Sequence, residues 1–143
     1  MSLGLKDLQA AAATGDATSQ FNLGVVYENL LDDTGGHGSK GNRAEAIKWL
    51  LQAAEQGLPR AQARLAQLYA DGPDAAGAHV RACTWFLVAA TGLSGAQRER
   101  VQSGYDRIAR HLAPEQVAKA QRLARAWKAT PNPNDGAAAA AST

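Results

Sequence analysis

Cysteine occurs once in the 143 residues, at Cys83, so the chain can form no internal disulfide and no cysteine-rich zinc site. Aromatic residues make up only 6%, so a core has to be assembled from small side chains packed closely. No run approaches the roughly 18 consecutive apolar residues of a membrane-spanning helix, and a transmembrane segment is not expected. The N-terminus (Met1, Ser2, Leu3, Gly4, Leu5, Lys6, Asp7) lacks a basic segment followed by an apolar one. No signal peptide is therefore read, and the default location is cytoplasmic, or periplasmic if a leader has been removed. What the chain does have is 45% apolar residues, rich in alanine, at a length that suits one domain or a short array of repeats.

The net charge of +2 hides an asymmetry. Residues 1–79 hold six Lys/Arg and nine Asp/Glu, a formal −3, whereas residues 98–128 hold eight and three, a formal +5. A basic end of this kind is usually a solvated helix face, and it also suits an acidic partner or nucleic acid.

Internal repetition decides the architecture. Leu23–Tyr27 recurs as Leu65–Tyr69, shifted by 42, and as Val101–Tyr105, shifted by a further 36. Ala46–Ala54 recurs as Ala82–Ala90, again shifted by 36, with Trp49 matching Trp85. Each alanine pair is followed closely by glycine (Gly15, Gly57, Gly92), and the longer first interval is absorbed by the loop Asp32–Asn42. Within the units the apolar spacing is helical: Leu23, Tyr27, Leu30 and Leu31 in one segment, Ile47, Leu50 and Ala54 in the next. Asn42 with Glu45, and Ser94 with Gln97, read as capping boxes. Pro59 and Pro114 suit first helical positions, and Gly57, Gly72 and Gly92 suit the left-handed position just past a helix end. Seven helices are predicted, over about 3–14, 16–31, 42–56, 59–71, 78–91, 95–112 and 114–128. Ala12, Gly24, Ala54, Ala66 and Ala90 are expected where helix backbones come close, with Trp49 and Trp85 filling wider gaps.

The pattern Leu-Gly-x-x-Tyr, loop, Ala-x-x-Trp-x-x-x-Ala-Ala, Gly resembles the Sel-like repeat (SLR) family, relatives of the tetratricopeptide repeats. The fullest match runs from Gly15 to Gly57. The second unit keeps Ala61, Leu65, Tyr69, Gly72, Ala82, Trp85 and Ala89-Ala90, but has Ala66 where the family carries glycine. The third keeps Tyr105 and then degenerates, with Gln121 and Arg125 in the tryptophan and first alanine positions, as a terminal unit with a polar outer face would. The resemblance covers about residues 8–128. It implies an all-α fold, an α/α superhelix (solenoid) of about three helix pairs over residues 1–128, with units at about 15–56, 57–91 and 92–128. The N-terminal helix 3–14 precedes them and a C-terminal capping helix closes the array. Residues 129–143 read as a low-complexity tail, ended as a helix by Pro131 and Pro133.

Chemical motifs are few. The loop Gly35–Gly41 has glycine and lysine in the wrong order for a phosphate-binding loop and follows a helix rather than a strand. Asp32 and Asp33 lack the alternating ligands of a calcium loop. His37 and His79, 42 residues apart, fall in successive loops near Asp74, a poor basis for a zinc site, which wants four fixed ligands. His111 reads as a helix-end residue favourable to the dipole. Cys83 reads as a buried thiol with no histidine in its helix to activate it. No paired carboxylates are recognisable, and no enzyme activity, cofactor or metal is expected.

The resemblance implies adaptor work, with a protein or peptide partner held on the concave face formed by the first helix of each pair. By register that face carries Thr18, Val25, Glu28 and Asn29 in the first unit, Arg60, Gln67 and Asp71 in the second, and Ser103, Asp106 and Arg107 in the third. Arg60 and Arg107 are expected to contact acidic or carboxyl-terminal groups of the partner. The alternatives are a basic α-solenoid that binds RNA or another anionic polymer through 98–128, or a regulatory subunit of an enzyme. Nucleic acid is the weaker expectation, because Tyr105 and Trp127 fall on packing faces rather than between the basic residues. A monomer or weak dimer is expected.

Overall fold

A computed structural model describes residues 4–30, 40–73 and 77–130, and among them are seven α-helices and no strand. They are α1 (Leu5–Ala13), α2 (Ala17–Asn29), α3 (Lys40–Glu55), α4 (Pro59–Asp71), α5 (Ala78–Gly92), α6 (Gly95–Ala109) and α7 (Pro114–Ala126). The chain divides into two compact units, residues 1–58 with 129–143, and residues 59–128. Residues 31–39 of the glycine-rich loop, which include Leu31, Asp32, Asp33 and His37, lie outside the described residues, as do Asp74 and residues 131–143, whereas Lys40 to Asn42 belong to α3.

In the first unit α2 packs against both α1 and α3. Helix α1 ends where Gly15 takes a left-handed conformation, at φ 98°, and returns its N–H to Ala12 O. Asp16 then caps α2 by accepting from Ser19 N–H at 2.9 Å. Hydrogen bonds from the Ser19 side chain and backbone favour the ionised form and lower the Asp16 pKa. The core is built from Ala12, Leu23, Ala46, Leu50, Ala53 and Ala54, none more than 1% exposed. Gly24 is needed for this closeness, since a Cβ there would lie 2.7 Å from Leu50 Cγ and 3.3 Å from Ala46 O. A backbone oxygen cannot yield as a side chain can.

Three glutamines seal this unit. Gln20, 3% exposed, donates from Nε2 to Ala12 O at 3.2 Å and to Gln52 Oε1 at 3.3 Å. Gln56 Nε2 donates to Gln20 Oε1 and to Gly15 O, both at 2.8 Å. Carbonyls at a helix end lack intrahelical donors, so the side chains of α2 and the α3 terminus satisfy the end of α1. Elsewhere in the unit, Thr130 donates its backbone N–H to Glu55 O at 2.6 Å.

In the second unit α5 is central, with α4, α6 and α7 packed on it. Pro59 and Pro114 open their helices as expected. Leu65, Ala66, Ala82, Cys83 and Ala89 are fully buried, and Phe86, Val88 and Val101 nearly so. Trp85 meets Trp127 edge to face, with ring centroids 5.9 Å apart, which ties the residue after α7 to α5. Helix α6 approaches α5 at Gly104, where a Cβ would lie 2.6 Å from Phe86 Cζ.

Several local expectations are corrected. Helix α3 starts at Lys40, so Asn42 sits inside its first turn and donates to Leu30 O at 3.4 Å instead of capping. Ser94 precedes α6 without a side-chain cap bond. The half of a capping box that does form is at α7, where Gln116 Oε1 accepts from Ala113 N–H at 2.9 Å. Gly57 is left-handed as expected, at φ 100°, but Gly72 and Gly92 are not. Gly92 is the last residue of α5, and its bare Cα admits the Pro59 ring, 2.6 Å from where a Cβ would stand. Ala90 is only half-buried, and its neighbour Ala89 occupies the close approach. Trp49 is likewise half-exposed, with Lys48 Nζ 4.9 Å above its ring. Leu30 lies beyond the end of α2 and is 37% exposed.

Candidate functional site: a groove between α4 and α6

Helices α4 and α6 both pack on α5, and the buried positions on each fix which side chains face outward. On α4, burial of Ala61, Leu65 and Leu68 leaves Arg60, Gln67 and Asp71 exposed. On α6, burial of Val101, Gly104 and Ile108 leaves Ser103, Asp106 and Arg107 exposed. Between the two helices is an open groove of about 570 Å³, lined by Gln67 of α4 and by Ala96, Glu99, Arg100, Ser103, Gly104 and Arg107 of α6.

Three residues that the repeat register places on the face, Gln67, Ser103 and Arg107, thus line one groove. Asp71 belongs to its margin. It accepts from Gln67 Nε2 at 2.7 Å and lies 3.9 Å from Arg107 Nη2, a loose pair whose partners are 58% and 56% exposed. Asp106 is not in the lining; its carboxylate accepts from Gln102 at 3.3 Å on another side of α6. Arg60 is exposed on α4 but also lies outside the lining. Sequence reasoning missed Ala96, Glu99, Arg100 and Gly104. Their signal was present, for Gly104, Arg100, Glu99 and Ala96 stand three, seven, eight and eleven residues before Arg107, within reach of the same side of the helix.

The remaining face residues belong to α2, in the first unit. Thr18 and Asn29 are exposed, Val25 and Glu28 half-buried. The Asn29 amide is engaged by its own helix, donating to Val25 O at 2.9 Å.

No other cluster competes. Among the described residues no three His, Cys, Asp or Glu side chains gather as metal ligands would. His79 Nε2 lies 3.3 Å from Gly72 O. Cys83 is fully buried, and desolvation pushes its thiol up to about 11, so it stays protonated at neutral pH. No described helix is long and apolar enough to cross a membrane.

Helix pairs that repeat in one register define an α/α repeat protein. The Sel1 repeat model matches residues 17–58 and 59–92, and the chain belongs to the Sel1 repeat family. The crystal structure of c5321, a protective antigen of uropathogenic Escherichia coli strains displaying an SLR fold, is similar with a TM-score of 0.67 and 28% identity. That similarity covers 86% of this chain and 24% of that one. F-box protein At1g70590 of Arabidopsis thaliana is 43% identical over 56 residues, and DAP3-binding cell death enhancer 1 of Mus musculus is 40% identical over 65. Those alignments span 14% and 12% of the relatives, so the chain corresponds to a small part of each. The fold class is therefore the all-α, α/α solenoid type, and Sel1 repeats are non-catalytic scaffolds that generally mediate protein–protein interaction.

Proposed function

We propose that this chain is a non-enzymatic adaptor that captures an extended segment of a partner protein in the groove between α4 and α6. The observation that carries this reading is the convergence of Gln67 of α4 with Ser103 and Arg107 of α6 on one groove. Such a surface holds a ligand by shape and hydrogen bonding and needs no reactive group. Thr18, Val25, Glu28 and Asn29 on α2 belong to the same proposal as a separate stretch in the first unit.

The test is capture of partners from the native host. Ser103→Trp fills the groove from an exposed position, so it should abolish capture while helicity and melting stay unchanged. Val25→Glu with Arg60→Glu asks the same of the α2 face and the start of α4. Partners retained equally by both variants would refute the adaptor surface.

A second reading rests on its own observation. Arg98, Arg110, Lys119, Arg122, Arg125 and Lys128 are exposed and make no ion pair among the described residues. Such a surface suits RNA or another anionic polymer, and a steep fall of affinity with salt, lost in Arg122→Gln/Arg125→Gln, would favour it over the groove.

A further inference from the structure

The groove offers almost nothing to an apolar anchor. Of its lining, only Ala96 and Gly104 are apolar, and Gly104 has no side chain. Recognition there has to be polar, and the charge distribution on α6 decides its sign. The charged groups of the lining are Glu99 against Arg100 and Arg107, one carboxylate to two guanidiniums. At about 100° per residue Arg100 and Arg107 share the middle of the lining stripe with Ser103, while Glu99 stands toward its edge; Arg110 follows just past the lining. Arg100 and Arg110 have no ion pair among the described residues, and the single partner of Arg107 is a solvent-exposed Asp71 at 3.9 Å. Exposed pairs of that length contribute little and are readily exchanged for a better-aligned carboxylate. The background reinforces this, because residues 59–128 carry eleven Lys/Arg and five Asp/Glu, a formal +6.

The spacing is informative as well. Arg100 and Arg107 are seven residues apart on α6, about 10.5 Å along the axis at the helical rise. A polyproline-type segment repeats its facing every three residues with a rise of about 3.1 Å, so side chains three apart share a face and lie about 9.3 Å apart. A β-strand places same-face residues at even spacings, about 6.6 or 13 Å, and matches less well. We infer that the segment held in the groove is acidic and extended, with two carboxylates three residues apart, one on Arg100 and the other on Arg107. Ser103, midway between them, and Gln67, across the groove, are placed to hydrogen-bond the intervening backbone. This rests on the groove being the partner site.

The two ideas can be separated in one experiment. A library of random peptides displayed on phage is selected against the whole chain, and the winners are retested on Ser103→Trp. The expected result is a set of peptides with Glu or Asp at positions three apart that bind the original chain and not Ser103→Trp. Synthetic winners with Gln in place of both acids should bind roughly tenfold more weakly, as should the original peptides on Arg100→Gln/Arg107→Gln. Arg122→Gln/Arg125→Gln should change binding less than about threefold. Winners that need the open groove but are neutral or apolar would overturn the acidic assignment and leave the groove standing. Acidic winners lost equally on Arg122→Gln/Arg125→Gln would also overturn it, since attraction would then be diffuse. Winners indifferent to Ser103→Trp, or no winners at all, would refute the groove and the inference together.

Discussion

Gly24, Gly92 and Gly104 show how single residues set helix distances in a chain poor in large side chains. At each, a Cβ would fall within 2.7 Å of a neighbouring side chain: Leu50, Pro59 or Phe86. Gly104 is the sharpest case, because the obstacle is a ring only 2% exposed, with no room to turn. Gly104→Ala gains up to about 1 kcal/mol of helix propensity but overpacks the α5–α6 contact, which typically costs about 1–3 kcal/mol. The variant is expected to unfold at lower urea, with a net loss of up to about 2 kcal/mol, although alanine is the better helix former. An unchanged or raised midpoint would mean that Phe86 yields freely. Ala89 and Ala90 carry a related lesson. Adjacent alanines in a repeated motif look equivalent on paper, yet one is fully buried and the other only half so.

Between elements, polar side chains do what short loops leave undone. Gln20 joins the end of α1 to α2 and α3 through Ala12 O, Gln52 and Gln56. Gln62 stands 42 residues later at the same register and is also 3% exposed, so a buried glutamine is part of the repeat itself. A further 36 residues on, at the shift that relates Leu65 to Val101, stands Arg98, which is exposed. Gln20→Leu removes three hydrogen bonds from buried or half-buried partners and should cost on the order of 1–3 kcal/mol. Gln52→Leu removes one, and Gln20 keeps its bond to Ala12 O, so a loss of about 0.5–1.5 kcal/mol is expected. Denaturation midpoints in the reverse order would show that the network does not bear on stability. Periodicity alone marks Gln52 as an exposed position; its half-buried place and its bond to Gln20 follow from where α1 ends.

On the scale of the molecule, the two compact units differ in charge. Residues 59–128 are +6, and residues 1–58 with 129–143 hold four Lys/Arg and eight Asp/Glu, a formal −4. A positive field centred on the second unit is what a negatively charged segment would meet first, which bears on the rate of capture more than on its final strength. The end of the chain contributes in another way. Thr130 is bonded to Glu55 through its backbone, whereas residues 131–143 are five alanines with proline, asparagine, glycine and small polar residues. Little apolar surface is available in that composition. Ending the chain after Thr130 should leave the melting temperature within about 2 °C, since a shift of that size corresponds to well under 1 kcal/mol. A drop of about 10 °C would show that the removed residues are docked.

The sequence by itself determined the fold class and the helix count among the described residues. It could do so because these depend on local periodicity, proline placement and self-similarity, all written along one dimension. It also placed Gln67, Ser103 and Arg107 on one face, since helical register is a local property. Tertiary structure alone decided which of the nominated residues share a groove, that Arg100 joins them while Asp106 and Arg60 do not, and that Gly92 and Gly104 serve close packing. Those outcomes depend on the distance between helices distant in sequence, and that distance is set by the volumes that meet at Phe86, Pro59 and Leu50.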